Sequence, residues 1–157
     1  MIKKLYILVF LTVVISISAQ NCVESTDSLF NPASKQTSMV SVLNCPLQNG
    51  GNIQFFNNNG KYTLKLTLRE KFGFVDIGSL QIKSGTKGFF VKTATLYNHK
   101  SPDAYFLVEV MINYIGTLKE DGITSVVFMD KFEAKLARED VKNVRATAKC
   151  FYEANKK

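Results

Sequence analysis

The chain is poor in the residues that most often build catalytic and metal sites. Among its 157 residues there is one histidine, His99, and there are three cysteines. A single histidine excludes a metal site made of several histidines and gives no support to a conventional serine–histidine–aspartate triad. The chain also lacks any Asn-x-Ser/Thr triplet, so nothing in it points to N-glycosylation.

Long apolar runs are absent as well. The uncharged stretch near the start, residues 5–17, is shorter than the roughly 20 residues that a membrane-spanning helix needs. Lys3 and Lys4 precede it and the small residues Ser18 and Ala19 follow it, which is the order of a secretory signal peptide. We predict a signal peptide over residues 1–19, cleaved after Ala19, and no transmembrane segment in the mature chain. The mature protein would then be periplasmic or extracellular, in bacterial as readily as in eukaryotic export, and the alternative is an uncleaved membrane anchor.

The cysteines allow at most one intramolecular disulfide. Export brings the chain into oxidising conditions, where any two of Cys22, Cys45 and Cys150 can pair. The Cys22–Cys45 pair is the most local, and a pair with Cys150 closes a longer loop that is more stabilising by only about 1–2 kcal/mol. The sequence leaves the three pairings open, together with the alternative that all three thiols stay reduced. Lipidation of Cys22 is not favoured, because Gln20 and Asn21 stand where a small residue is needed.

The mature chain is basic and has the size of one domain. The formal charge is +7, and without Lys3 and Lys4 the +7 becomes +5. Such a charge favours anionic lipid, glycan or acidic protein surfaces without specifying one of them. Residues 20–36 are polar and predict a loosely structured lead-in, and residues 37–157 predict a single β-rich domain.

Alternation of apolar and polar residues predicts mostly strands. In residues 61–69 every second residue is apolar, as it is through much of residues 104–114, which we expect to be a central strand covered on both faces. Asn59-Gly60, Gly85-Thr86 and Asp130-Lys131 predict hairpin turns. One helical turn should follow residue 116 and end at Gly122, and a helix should run over 139–154.

These elements predict an α+β, β-rich fold. It is an antiparallel sheet or a β-sandwich of about seven to eight strands, with one C-terminal amphipathic helix packed on it. The apolar stripe of that helix consists of Val141, Val144, Ala148 and Phe151. A basic stripe consists of Arg138, Lys142, Arg145 and Lys149. The basic stripe is a candidate contact with an anionic surface, and the alternative is the ordinary solvated face of an amphipathic helix.

Three patterns resemble catalytic motifs only superficially. His99 lies in the polar loop "YNHKSPD", which is typical of a solvated histidine. The "GTKG" segment at residues 85–88 lacks the Ser or Thr and the following helix of a phosphate-binding loop. The acidic pairs Glu120-Asp121 and Glu139-Asp140 fall at predicted helix ends, where carboxylates commonly act as caps and dipole partners.

The sequence therefore predicts an exported, non-catalytic binding or structural module. We expect no cofactor, no bound metal and no nucleic-acid partner, and the partner would be an unknown protein, a glycan or an anionic surface. Two other functions stay open. One is a small secreted hydrolase or thiol-dependent enzyme that uses His99 or a free cysteine, and the other is a secreted inhibitor that blocks a partner enzyme.

Overall fold

The structure is a computed structural model that describes residues 24–31, 34–70, 75, 77–98 and 100–156. The signal peptide expected over residues 1–19, Cys22 and His99 lie outside the described residues. Nine strands and two helices are formed by the described part of the chain. The strands are β1 Ser25–Asn31, β2 Gln36–Pro46, β3 Asn52–Asn58, β4 Lys61–Thr67, β5 Ile77–Ser84, β6 Lys87–Tyr97, β7 Tyr105–Val110, β8 Ser125–Phe128 and β9 Phe132–Lys135. The helices are α1 Ile112–Asp121 and α2 Arg138–Asn155.

All nine strands belong to one antiparallel sheet with the order β1-β2-β3-β4-β7-β6-β5-β8-β9. Strand β6 joins the two halves of this sheet. Its first part pairs with β5, and only its last two residues, Leu96 and Tyr97, pair with β7. The sheet is open, because β1 and β9 each have one neighbour.

The turns form where the sequence places residues that tolerate a positive φ. Asn59 and Gly60, at φ values of 52° and 87°, connect β3 to β4. Gly85, at a φ of 56°, begins the turn between β5 and β6. These two hairpins, and the third between β8 and β9, are confirmed. A two-residue turn with positive φ matches the right-handed twist of the flanking strands, which explains why such local signals predict strand pairing.

Helices α1 and α2 pack against one another, and both cover the same face of the sheet. The apolar stripe of α2 is buried through Val144, Ala148 and Phe151. The ring of Phe151 lies 5.6 Å from that of Phe55 on β3 and 5.8 Å from that of Tyr62 on β4, measured between centroids. Helix α1 adds Ile115 and Leu118 to the same core. The sheet, the two helices and their core therefore form one unit.

The predicted fold is confirmed in its coarse form and corrected in its detail. The structure is a β-rich antiparallel sheet with a C-terminal helix, and α2 extends one residue beyond the expected range of 139–154 at each end. The β-sandwich alternative is not confirmed, since the described strands form one sheet whose core face is covered by helices. The sheet also has nine strands where we expected seven to eight.

The extra strand is β1, which lies in the segment 20–36 that we expected to be loosely structured. Five of its seven residues are polar and they show no alternation with apolar ones, so its pairing with β2 supplies the order. The second correction concerns residues 104–114. The strand ends at Val110, and α1 begins at Ile112 and continues for ten residues instead of a single turn. Ile112, Ile115 and Leu118 are spaced as on one face of a helix. Residues 106–114 also show the two-residue repeat of a strand, so the sequence around residue 112 fits either structure. Gly122 ends α1 as expected and donates its backbone N–H to the Leu118 carbonyl at 2.8 Å.

We expect Phe151→Ala to lower the free energy of unfolding by about 3–5 kcal/mol, because it removes a fully buried ring and leaves a cavity between α2 and the sheet. Urea unfolding followed by circular dichroism measures the change. Phe90→Ala is the matched control, since the Phe90 side chain is 59% exposed and its loss should cost less than about 0.5 kcal/mol. Equal effects of the two substitutions would contradict the packing described above.

Candidate functional site

The basic stripe predicted on the C-terminal helix lies on the exposed side of α2. Arg138, Lys142, Arg145 and Lys149 are all exposed. Three of them, Lys142, Arg145 and Lys149, line an open cleft of about 500 Å³ between α1 and α2. The other residues of this α1–α2 cleft are Lys119, Glu120 and Ala146. Arg138 belongs to the first turn of α2 and does not line the cleft, so the structure brings together three of the four predicted residues.

Lys119 is the residue of the cleft that sequence analysis missed. It belongs to α1, 19 residues before the first residue of the stripe, and only the packing of α1 on α2 brings it there. A basic residue in the last turn of a helix is common, because it complements the negative end of the helix dipole. Its position in the sequence therefore carried no sign of a shared site.

Two of the four cations in the cleft are engaged by carboxylates and two are not. Lys119 contacts Glu120 at 3.0 Å, and Lys142 contacts Glu139 at 3.0 Å. Within the described residues, Arg145 and Lys149 form no ion pair. Both nevertheless act on Glu120, whose pKa is held below its usual range first by the hydrogen bond from Lys119 and then by nearby positive charge, including theirs. The hydrogen bond with Glu120 in turn raises the pKa of Lys119.

Ala146 lines the cleft, and because its side chain is only a methyl group it leaves space between the long basic side chains. Arg145 and Lys149 are four residues apart and so stand on one face of α2. An arginine guanidinium can donate two parallel hydrogen bonds to a phosphate, and a lysine ammonium adds a mobile charge beside it. Together, the Arg145 and Lys149 side chains can donate hydrogen bonds to one phosphate group.

Cys45 is unsuited to nucleophilic catalysis. Its side chain is fully buried in the core under α2, and it is a free thiol. Burial raises the pKa of Cys45 from its ordinary 9.0 to about 11, the hydrogen bond with Thr147 partly offsets this, and the charge of Asp140 adds to it. Because the thiolate is the reactive form, a thiol with so high a pKa and no exposure is inert at neutral pH. His99, the other half of a cysteine–histidine pair, lies outside the described residues.

The acidic pairs hold helix ends in place. Asp140 is 4% exposed, and its carboxylate accepts the backbone N–H of Gln48 at 3.0 Å, which ties the start of α2 to the turn after β2. Glu139 and Glu120 contact neighbouring lysines, as described above. The structure places the two pairs at helix ends, as we predicted, and each of these three carboxylates has a structural partner.

The "GTKG" segment at residues 85–88 forms a hairpin turn between two strands. Gly85-Thr86 connects β5 to β6, and a strand follows, so the "GTKG" segment has no helix to form a phosphate-binding loop. No group of three or more His, Cys, Asp or Glu side chains suited to a metal ion occurs among the described residues. Within that same part of the chain, neither helix is long and apolar enough to cross a membrane.

Comparison of the chain with protein-family models, with curated proteins and with solved structures gives no match. We therefore infer the function of this protein from the arrangement of its own side chains.

We expect the contribution of Cys45 to stability to be lost in alkaline solution. Its pKa in the folded state is above the unfolded-state value, so the folded state holds the proton more tightly. The contribution is fully present below pH 9 and falls as the pH rises to about 11, by about 2–3 kcal/mol in total. Urea unfolding of the wild type and of Cys45→Ala, below pH 9 and near pH 11, measures it. The two proteins should converge in stability at high pH, and a constant difference would contradict the assigned shift.

Proposed function

We propose that this protein is an exported, non-catalytic binding module that docks on a phosphate-bearing anionic surface through the α1–α2 cleft. The observation that carries the proposal is the pair Arg145 and Lys149. Both are exposed on one face of α2, lie beside two further cations, and form no ion pair within the described residues. Lys142, by contrast, pairs with Glu139 three positions before it, and Glu153, four positions after Lys149, is paired with Lys156 instead.

The non-catalytic part of the proposal is supported by the surroundings of the cysteine and carboxylate side chains that could take part in catalysis. The Cys45 sulfur is inaccessible, the Asp140 carboxylate accepts the Gln48 backbone N–H, and Glu139 and Glu120 each contact a lysine of their own helix. Turnover of ester, peptide, glycoside or phosphate substrates by the purified mature protein would contradict it. The export part rests on the leader-like order of residues 1–19.

We also infer that Cys150 pairs with Cys22. Cys45 is a free thiol, whereas Cys150 is not. Glu24, two residues after Cys22, and Ala154, one helical turn after Cys150, line the same groove. Two extended residues span about 7 Å, so a Cys22–Cys150 bridge requires the start of β1 to lie near the end of α2, where Glu24 and Ala154 line one groove. Such a bridge would fasten the edge strand β1 to the helix.

For the disulfide, we expect the protein recovered from its envelope fraction or medium to begin at Gln20 and to be two hydrogens lighter than the reduced chain. Alkylation in denaturant without reductant should modify one thiol, Cys45. Cys150→Ser should lose the bridge and about 4 kcal/mol of stability, because the closed loop exceeds 100 residues. Cys45→Ser should keep the bridge. Three alkylatable thiols, or a bridge that contains Cys45, would rule the pairing out.

For the cleft, we expect Arg145→Glu with Lys149→Glu to weaken binding at least ten-fold to vesicles of phosphatidylcholine that contain a third of phosphatidylglycerol. Each basic residue near such a surface contributes about 1 kcal/mol, and reversal turns attraction into repulsion. Vesicle co-sedimentation at low and at physiological salt measures the binding, which should weaken as salt screens the charges.

The matched control is Lys87→Glu with Lys92→Glu, which makes the same change in net charge at exposed positions of β6, outside the cleft. The control should weaken binding far less than the cleft variant. Equal losses would mean that net charge alone attracts the protein. A parallel titration with soluble polyphosphate separates lipid headgroups from phosphate polymers as the source of the ligand, and failure of both probes to bind would overturn the proposal.

A further inference from the structure

A second concave surface lies on the helix-covered face of the sheet, beyond the C-terminal end of α2. It is a groove of about 900 Å³ bounded by β1 and β2, the β3–β4 turn, the start of α1 and the end of α2. It shares no residue with the α1–α2 cleft. Five asparagines line it, which are Asn57, Asn58, Asn59, Asn113 and Asn155, and we call it the Asn groove.

Two of these asparagines, Asn57 and Asn155, form the floor of the groove and are held by hydrogen bonds. The Asn57 side-chain amide donates to the Asn155 side-chain oxygen, and the Asn57 oxygen accepts the backbone N–H of Gly60 at 2.8 Å. Asn155 donates its own amide to the Phe151 carbonyl at 2.7 Å, and the Tyr62 hydroxyl donates to the Asn155 carbonyl at 3.4 Å. These bonds join the β3–β4 hairpin to the end of α2, so the floor is held in shape before any ligand arrives.

The other three asparagines are available to a ligand. The side-chain amides of Asn58, Asn59 and Asn113 have no hydrogen-bond partner within the described residues, and Asn59 and Asn113 are exposed. Each amide offers two donors and an acceptor. The groove therefore presents groups that donate and accept at the same site, from two segments of the chain: the β3–β4 hairpin and the start of α1.

Two tyrosine rings stand beside these amides. Tyr62 is held edge-on against Phe151. The ammonium groups of Lys119 and Lys156 lie 4.8 Å and 5.9 Å from the centroid of the Tyr152 ring. Gly116 leaves room for the Tyr152 ring, since a Cβ there would lie 3.3 Å from it. The groove adjoins a depression of about 700 Å³, with which it shares Gly60, Tyr62, Ile112 and Asn113.

We propose that the Asn groove binds a neutral oligosaccharide several sugar units long. Sugar hydroxyls both donate and accept hydrogen bonds, as asparagine amides do, and the C–H faces of sugar rings pack on tyrosine. The charged residues that line the groove are Glu24 and Lys156, of opposite sign, so the site carries no net charge. The proposal is independent of the cleft and of its anionic ligand.

A peptide fits this groove less well. An extended peptide usually binds by adding a strand to a free sheet edge. Strands β2, β3 and β4 each have neighbours on both sides, so their backbone groups are already paired, and among the strands that border the groove β1 alone has a free edge. A ligand that lies away from that edge is therefore recognised by side chains, and those are mostly neutral amides and hydroxyls.

The test is a titration of the folded mature protein with four hexasaccharides: chitohexaose, cellohexaose, maltohexaose and xylohexaose. Isothermal titration calorimetry gives the affinity, and the side-chain amide signals of Asn58, Asn59 and Asn113 in a nitrogen–proton correlation spectrum report the place. We expect at least one hexasaccharide to bind and to move these signals. Asn58→Ala with Asn113→Ala should weaken that binding at least ten-fold, since two hydrogen bonds are lost at surface positions.

Two controls accompany the groove variant. Asn44→Ala with Gln48→Ala removes exposed amides elsewhere and should leave the affinity unchanged. Arg145→Glu with Lys149→Glu should also leave it unchanged, which separates this proposal from the function proposed for the cleft. The proposal is overturned if none of the four sugars binds at millimolar concentration, if the groove variant binds as the wild type does, or if the shifted signals belong to residues outside the groove.

Discussion

The contact between the apolar stripe of α2 and the face of the sheet holds this protein together. A nine-stranded sheet that is open at both edges would expose Phe55, Leu64 and their neighbours unless another layer covered them. Val144, Ala148 and Phe151 provide that cover, and α1 completes it. Fully burying one such large side chain contributes about 1.5–3 kcal/mol, so the loss of α2 would remove most of the core on this side.

The same contact determines both proposed binding surfaces. A helix that turns one stripe toward the sheet must turn another toward solvent, and on α2 that outward stripe carries Arg145 and Lys149. The packing of α1 beside it adds Lys119 to the cleft. At the other end, α2 stops where Asn155 meets Asn57 on the β3–β4 hairpin, which closes the floor of the Asn groove. The start of the helix is also held in position, because the buried Asp140 carboxylate accepts the backbone N–H of Gln48.

Local patterns predicted much of the fold and part of the site. The hairpin at Asn59-Gly60 and the range of α2 followed from backbone preferences and periodicity within a few residues, which are properties of short segments. Strand β1 could not be predicted this way, because its polar residues become ordered only by pairing with β2. Helix α1 was predicted as a single turn instead of ten residues, because residues 106–114 fit a strand as well as residues 112–118 fit a helix. Three of the four predicted basic residues line the cleft, and Arg138 lies outside it. Lys119, which also lines the cleft, belongs to α1 and was not predicted.

By itself, the sequence determined the β-rich composition, the main hairpins, the amphipathic C-terminal helix and its basic stripe, because each depends on the order of neighbouring residues. Only the tertiary structure decided that there is one sheet instead of two, that Cys45 is sealed in the core, and that Lys119 joins the stripe. It also decided that asparagines from β3, the following turn and both helices share one groove. These features arise from contacts between segments far apart in the chain, which no local pattern of residues encodes.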